Sequence, residues 1–150
     1  MGWLATPQRY LRPDRVRLVF LCVAVLAFLV TEFGRFVYRP YVRRHDITDF
    51  GLADCIGNLG GIVVQIFVTI AAMNSTKKQS FRIAPLLAVG YVAYEFLQPV
   101  LPKGVFDWKD VYGTLVGLCL ALAVLWAVWR LFPEVPDELD GGETRDHANV

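Results

Sequence analysis

Glu32, Asp54, Glu95 and Asp110 each stand at the edge of a long apolar block of this chain. A charged acid in hydrocarbon costs roughly 2.5–3.5 kcal/mol, so such groups must cluster, pair or meet water. Four unpaired carboxylates in one place would repel each other. Some must then be protonated, share a proton, bind a cation or pair with Arg35, Lys103 or Lys109. With Gln98 and Asp107 close by in sequence, the six residues Glu32, Asp54, Glu95, Gln98, Asp107 and Asp110 form a candidate acidic pocket. Its chemistry would be acid–base work or the binding of a cation, and the residue types do not choose between them.

Each of these residues also has a local explanation. Asp54 and Asp110 fall where helices are expected to begin, and a carboxylate there satisfies orphan N–H groups and the helix dipole. Asp107, three residues before Asp110, resembles a capping box. Arg35 follows Glu32 at helical spacing, as Gln98 follows Glu95. Glu95 has no cationic residue at such spacing and is the hardest of the four to explain as a surface acid. Asn58 and Gln65 read as interhelical hydrogen-bond partners.

Familiar catalytic sets are missing from the sequence. Its only serines are Ser75 and Ser80, and His45 and His147 are isolated, so no Ser/His/Asp or Cys/His arrangement can be assembled. There is no H-E-x-x-H, P-loop or dinucleotide glycine motif. Cys22, Cys55 and Cys119 stand alone in apolar blocks, which suits small buried hydrophobes better than a disulfide or zinc site. No metal or cofactor is expected, no catalytic residue can be named, and binding is favoured over catalysis.

The elements that must position the acids are apolar. The 150 residues are 55% hydrophobic and 19% charged, with a mean hydropathy of +0.44, where soluble domains run at about 25% charged. A net charge of +1 excludes a basic nucleic-acid binder and an acidic disordered protein. The apolar residues form four blocks, read as spans Val16–Tyr38, Leu52–Met73, Ile83–Val100 and Val111–Phe132. Each is near the ~20 residues that cross a bilayer. Backbone groups in lipid must be paired within a segment, so blocks of this length become helices. The first block is too long for a signal-peptide core and lacks a small-residue cleavage site, so it is expected to stay as a span. Residues 1–132 thus form one membrane domain, and the acidic, Gly-containing stretch 133–150 is expected to be a disordered tail. With four spans, nine Lys/Arg residues lie on the side of the termini and six on the other. The positive-inside rule then puts both termini in the cytoplasm. A thin four-span bundle also suits a homodimer.

An internal duplication links the acids. Phe50-Gly-Leu-Ala-Asp54-Cys-Ile-Gly57-Asn-Leu59-Gly-Gly61 aligns with Phe106-Asp-Trp-Lys-Asp110-Val-Tyr-Gly113-Thr-Leu115-Val-Gly117 at an offset of 56, with five identities in twelve positions. Glu32-Phe33 matches Glu95-Phe96 at an offset of 63. The fold expected is therefore all-α, with four transmembrane helices arranged as two tandem parallel hairpin repeats. The G-x-x-x-G pairs Gly57/Gly61 and Gly113/Gly117 would let spans two and four cross closely.

The stretch from Tyr94-Glu95-Phe-Leu-Gln98 through Phe106-Asp107-Trp-Lys-Asp110 to Gly117 resembles the VanZ-like family of small bacterial membrane proteins. The pattern is Glu-x-x-Gln near a helix end, a short loop, Phe-Asp-x-x-Asp and a Gly-containing helix. Three features depart from it. Lys103-Gly104 replaces the loop Arg, Thr114 replaces an Asn that recurs at the repeat-equivalent Asn58, and an early Asp-Lys-x-x-His signature is missing. The resemblance implies a multi-pass protein of the bacterial inner membrane with an envelope role, linked in the founding case to teicoplanin resistance. Together with the carboxylates it leads to the expectation of an outward acidic pocket that handles a lipid-linked cell-wall precursor, a cationic ligand or an envelope protein. The competing expectation is a small ion- or proton-coupled transporter.

Overall fold

The computed structural model describes residues 15–102 and 104–133. Residues 134–150 of the acidic tail and Lys103 lie outside the described residues. Among the described residues there are four helices long and apolar enough to cross a membrane: α1 (Arg15–Arg44), α2 (Leu52–Met73), α3 (Lys77–Leu97, extended by a 3₁₀ turn at Gln98–Val100) and α4 (Trp108–Leu131). No strand occurs among the described residues. The tally of charged and apolar blocks thus gives a multi-pass, all-helical membrane protein.

Local chemistry sets the helix ends. Asp46, at φ 51°, turns the chain out of α1, and Asn74, at φ 47°, does the same after α2. The Ser75 N–H returns to the Ile70 carbonyl, closing the turn that satisfies the last carbonyls of α2. A reciprocal capping box opens α3: Gln79 N–H donates to the Thr76 hydroxyl at 3.3 Å, and the Gln79 side chain accepts from Thr76 N–H at 3.0 Å. This box starts the helix at Lys77, so residues 77–82, expected in a loop, are helical. Pro85 consequently lies inside α3 rather than in its first turn, and the Phe81 carbonyl loses its i+4 donor.

The first helix also runs beyond the apolar block that defines it. At Gly34–Tyr38 it widens into a π-helical turn, with the Arg39 N–H reaching back to the Gly34 carbonyl. Pro40, which has no N–H to give, follows directly, and the helix then continues to Arg44. Arg39, Arg43 and Arg44, expected in an outer loop, are therefore helical residues.

α2 is the central helix and packs against all three others, most extensively against α4 and α1. The buried core occupies one half of the bundle lengthwise. Phe20 and Ala24 of α1 meet Ile62, Ile66, Phe67 and Ile70 of α2, with Ala84 and Ala88 of α3 and Ala121, Leu125 and Trp129 of α4 completing it. The Phe20 ring lies 5.7 Å from Phe67 and 5.8 Å from Trp129. Outward faces carry Leu26, Leu29, Phe33, Leu86, Val89 and Trp126, apolar surface of the kind lipid covers. Cys55 is buried as expected, but Cys22 and Cys119 are exposed on this outer surface.

Close helix contacts depend on glycine, though with a division of labour that the repeat did not predict. A Cβ on Gly113 would lie 2.7 Å from the Cys55 carbonyl oxygen, and one on Gly117 would strike the Leu59 carbonyl. These two glycines let α4 rest on the α2 backbone. Gly57 and Gly61 take no part in that crossing. Nothing lies within 4 Å of a Cβ on Gly57, and on Gly61 only the Tyr91 hydroxyl is near, at 3.9 Å. The α1–α2 contact uses Gly34 against Ile56 and Gly60 against Thr31.

Candidate functional site

The half of the bundle opposite the core is charged. Arg35, Arg39 and Arg43 follow one another at four-residue steps along α1. The start of α2 is capped from outside by Asp49, whose carboxylate accepts from Gly51 N–H at 3.1 Å and Ala53 N–H at 2.6 Å. The Tyr38 hydroxyl donates to the same carboxylate at 3.4 Å. Asp107 caps α4, accepting from Lys109 N–H at 2.9 Å. Capping thus falls to Asp49 and Asp107, and the Asp54 and Asp110 side chains, one turn further in, are released from the end-capping role considered for them.

Asp54 gathers three cations. Its Oδ1 lies 3.0 Å from Arg43 Nη2 and 3.6 Å from Arg39 Nη2, and its Oδ2 accepts from Lys109 Nζ at 2.7 Å. One carboxylate thereby ties α1, α2 and α4 together at their charged ends.

Between α1 and α4, above α2, lies a cleft of about 540 Å³. Arg35, Arg39 and Arg43 form one wall, Asp54, Gly57 and Asn58 the floor, and Asp107 and Asp110 the other wall. Gly57 is a floor residue because it has no side chain to fill this space. Among the described residues, none forms an ion pair or hydrogen bond with the Asp110 carboxylate. The Arg39 Nε is buried and without an acceptor.

The six residues expected in an acidic pocket divide three ways. Asp54, Asp107 and Asp110 line the cleft. Glu95 and Gln98 stand behind it: Glu95, 3% exposed, accepts from Asn58 Nδ2 at 3.2 Å and, through its other oxygen, from Gln98 Nε2. Glu32 does not line the cleft and pairs with Arg35 at 3.1 Å on the helix exterior. The cleft is also not purely acidic, since the extension of α1 swings two arginines over the α2 N-terminus. Of the two amides read as interhelical partners, Asn58 is one, whereas Gln65 donates to Thr69 on its own helix at 3.2 Å.

Sequence reasoning missed Arg39, Arg43 and Asp49. The i, i+4, i+8 spacing of the three arginines was the signal available for the first two. Chemically the arrangement offers guanidinium forks for an anion and carboxylates for a cation. Its walls and floor carry no serine, cysteine or histidine, and no group of three or more His, Cys, Asp or Glu suited to a metal occurs among the described residues. A second cavity, at the core end beside Ser75 and Trp129, measures about 20 Å³ and has room for a single water.

Comparison with known proteins found no matching family profile, curated protein or solved structure.

Proposed function

We propose that this chain is a VanZ-like integral membrane protein of the bacterial cell envelope, set in the inner membrane with both termini cytoplasmic. Its outward cleft binds the charged headgroup of a lipid-linked envelope intermediate and thereby affects glycopeptide sensitivity. The observation that carries this reading is the cleft of about 540 Å³ at one end of the spans, with arginines on one wall and aspartates on the other. That end of a spanning bundle is where headgroups reside, and the volume lies in the range of ligand sites. Binding rather than a reaction is proposed, as the cleft presents no nucleophile beyond carboxylates. The tandem-repeat reading draws support from Asp54 and Asp110, each the third residue of its helix and each facing the cleft. The unequal roles of the two glycine pairs weigh on the other side.

The test is teicoplanin and vancomycin susceptibility in a deletion strain complemented with wild type, Glu95→Gln or Asp110→Asn, membrane levels being matched by blot. Wild type is expected to restore resistance and the equally abundant variants to fail. An unchanged phenotype on deletion would remove the envelope role.

One observation favours a second reading, an ion- or proton-coupled transporter: Glu95 is buried within a span beneath an open polar cleft. Cation-dependent flux in proteoliposomes, abolished by Glu95→Gln, would decide for it.

A further inference from the structure

The two cleft walls carry opposite charge, and that separation limits what can occupy the space between them. A purely anionic ligand would be attracted by Arg35, Arg39 and Arg43 but repelled by Asp107 and Asp110. A purely cationic ligand meets the reverse conflict. Only a ligand with both signs, an anion at one end and a cation at the other, satisfies both walls.

Unused bonding capacity lies on each side. Arg39 and Arg43 both approach Asp54 through a single nitrogen, Nη2, which leaves the other terminal nitrogen of each guanidinium without an acidic partner among the described residues. A guanidinium offers five N–H donors in a fixed fork, a geometry that fits phosphate oxygens. On the opposite wall, Asp107 uses Oδ1 for the Lys109 N–H, and the Asp110 carboxylate has neither hydrogen bond nor ion pair among the described residues. A primary ammonium, with three N–H donors, suits two carboxylates set three residues apart at the start of α4, Asp107 at its N-cap and Asp110 in its first turn. A quaternary ammonium has no N–H to give.

We infer that the cleft is a zwitterion site in which the Arg35/Arg39/Arg43 wall takes a phosphate and the Asp107/Asp110 wall takes a primary ammonium, the pairing present in a phosphoethanolamine headgroup. This rests on the proposed headgroup-binding function and specifies its ligand class. The same chemistry occurs in an aminophospholipid and in a soluble phosphoethanolamine, and the experiment separates them.

The full chain, purified in detergent, is titrated with phosphatidylethanolamine, phosphatidylglycerol and phosphatidylcholine of identical acyl chains, retention being read by native mass spectrometry. Phosphatidylethanolamine is expected to bind about tenfold more tightly than the other two, the factor one charge-assisted hydrogen bond supplies. Asp110→Asn should bring it down to the phosphatidylglycerol level without changing phosphatidylglycerol itself. Arg43→Gln should weaken all three lipids, since each carries the phosphate. Gly57→Leu, which fills the floor without altering charge, should weaken all three. Competition by soluble phosphoethanolamine would assign recognition to the free headgroup, and preference without competition to the intact lipid; both support the inference. Equal retention of the three lipids in wild type, or an equal loss of all three in Asp110→Asn, would overturn it. A preference for phosphatidylglycerol that is lost in Arg43→Gln would end the zwitterion inference and leave headgroup binding standing. Retention indifferent to headgroup and to Gly57→Leu would end both.

Discussion

Asn58 on α2 donates to the Glu95 carboxylate on α3 across 3.2 Å, and through this bond a buried acid is joined to the floor of the cleft. Gln98 donates to the other oxygen, so both acceptors of Glu95 are engaged. Glu95→Ala would leave two amides without an acceptor, at about 1–3 kcal/mol for an unsatisfied buried group. Glu95→Gln keeps the shape and one acceptor but sets an amide NH₂ against a donor. Thermal unfolding in detergent is expected to fall most for Glu95→Ala and less for Glu95→Gln. Equal, negligible shifts would mean that the contact contributes nothing.

Two glycines of similar sequence setting should respond in opposite ways. Gly113 faces the Cys55 carbonyl oxygen, backbone that cannot turn aside, so Gly113→Leu must push α4 off α2. Overpacking of this kind costs about 1–3 kcal/mol. Gly57 faces open space, and Gly57→Leu should leave the melting temperature unchanged or slightly raised, because Leu favours helix over Gly. Melting curves of the two variants in the same detergent make the comparison. A matching drop for both would show that Gly57 lies in a helix contact after all.

Asp54 holds three cations, yet its partners are largely solvent-exposed, and exposed ion pairs stabilise little. Asp54→Asn is expected to lower the melting temperature modestly at low salt. The difference from wild type should vanish near 1 M salt, where charges are screened within about 3 Å. A loss that persists at high salt would point to packing rather than charge.

The proposed orientation in the inner membrane predicts a labelling pattern. In intact cells Ile47→Cys, in the loop after α1, should react with an impermeant maleimide on a background lacking Cys22, Cys55 and Cys119. Lys78→Cys, at the opposite end, should react only after the inner membrane is opened. The reverse pattern would invert the topology drawn from the nine-to-six distribution of Lys and Arg.

Much of the scaffold was legible because hydropathy and length alone set spans in lipid. The α2 limits, Leu52–Met73, agree with the reading from sequence. Charged helix ends were harder. Apolar content stops near Tyr38, but helical hydrogen bonding does not, and Arg39, Arg43 and Lys77 are helical for reasons of backbone and capping. The Thr76-Lys-Lys-Gln79 box was readable and outweighed the charge of its middle residues. Pairings were not readable: Arg43 and Asp54 are eleven residues apart, Lys109 and Asp54 fifty-five. No periodicity reports which helices become neighbours, so Arg35 was visible beside Glu32 and Lys109 as a cation for the acids, but not which acid Lys109 would meet, and Arg39 and Arg43 were missed. The glycine pattern was visible too, although only the packing distinguishes Gly113, under a backbone, from Gly57, under a void.

The wide turn at Gly34–Tyr38 sets a length rule for this part of the chain. Two regular helical turns take about 7.2 residues, yet Gly34 and Val42, eight apart, are both buried. The turn absorbs the surplus residue and keeps the two in phase. Removing one residue within the wide turn would let α1 close into a regular helix with the two seven apart, still close to two full turns and in phase. Adding one in the regular helix that follows would instead rotate everything after it by about 100°. Val42 would then leave the bundle, and the guanidinium groups of Arg39 and Arg43 would turn away from Asp54. The wide turn is thus the one place along α1 where a single-codon deletion leaves the charged end of the bundle in register.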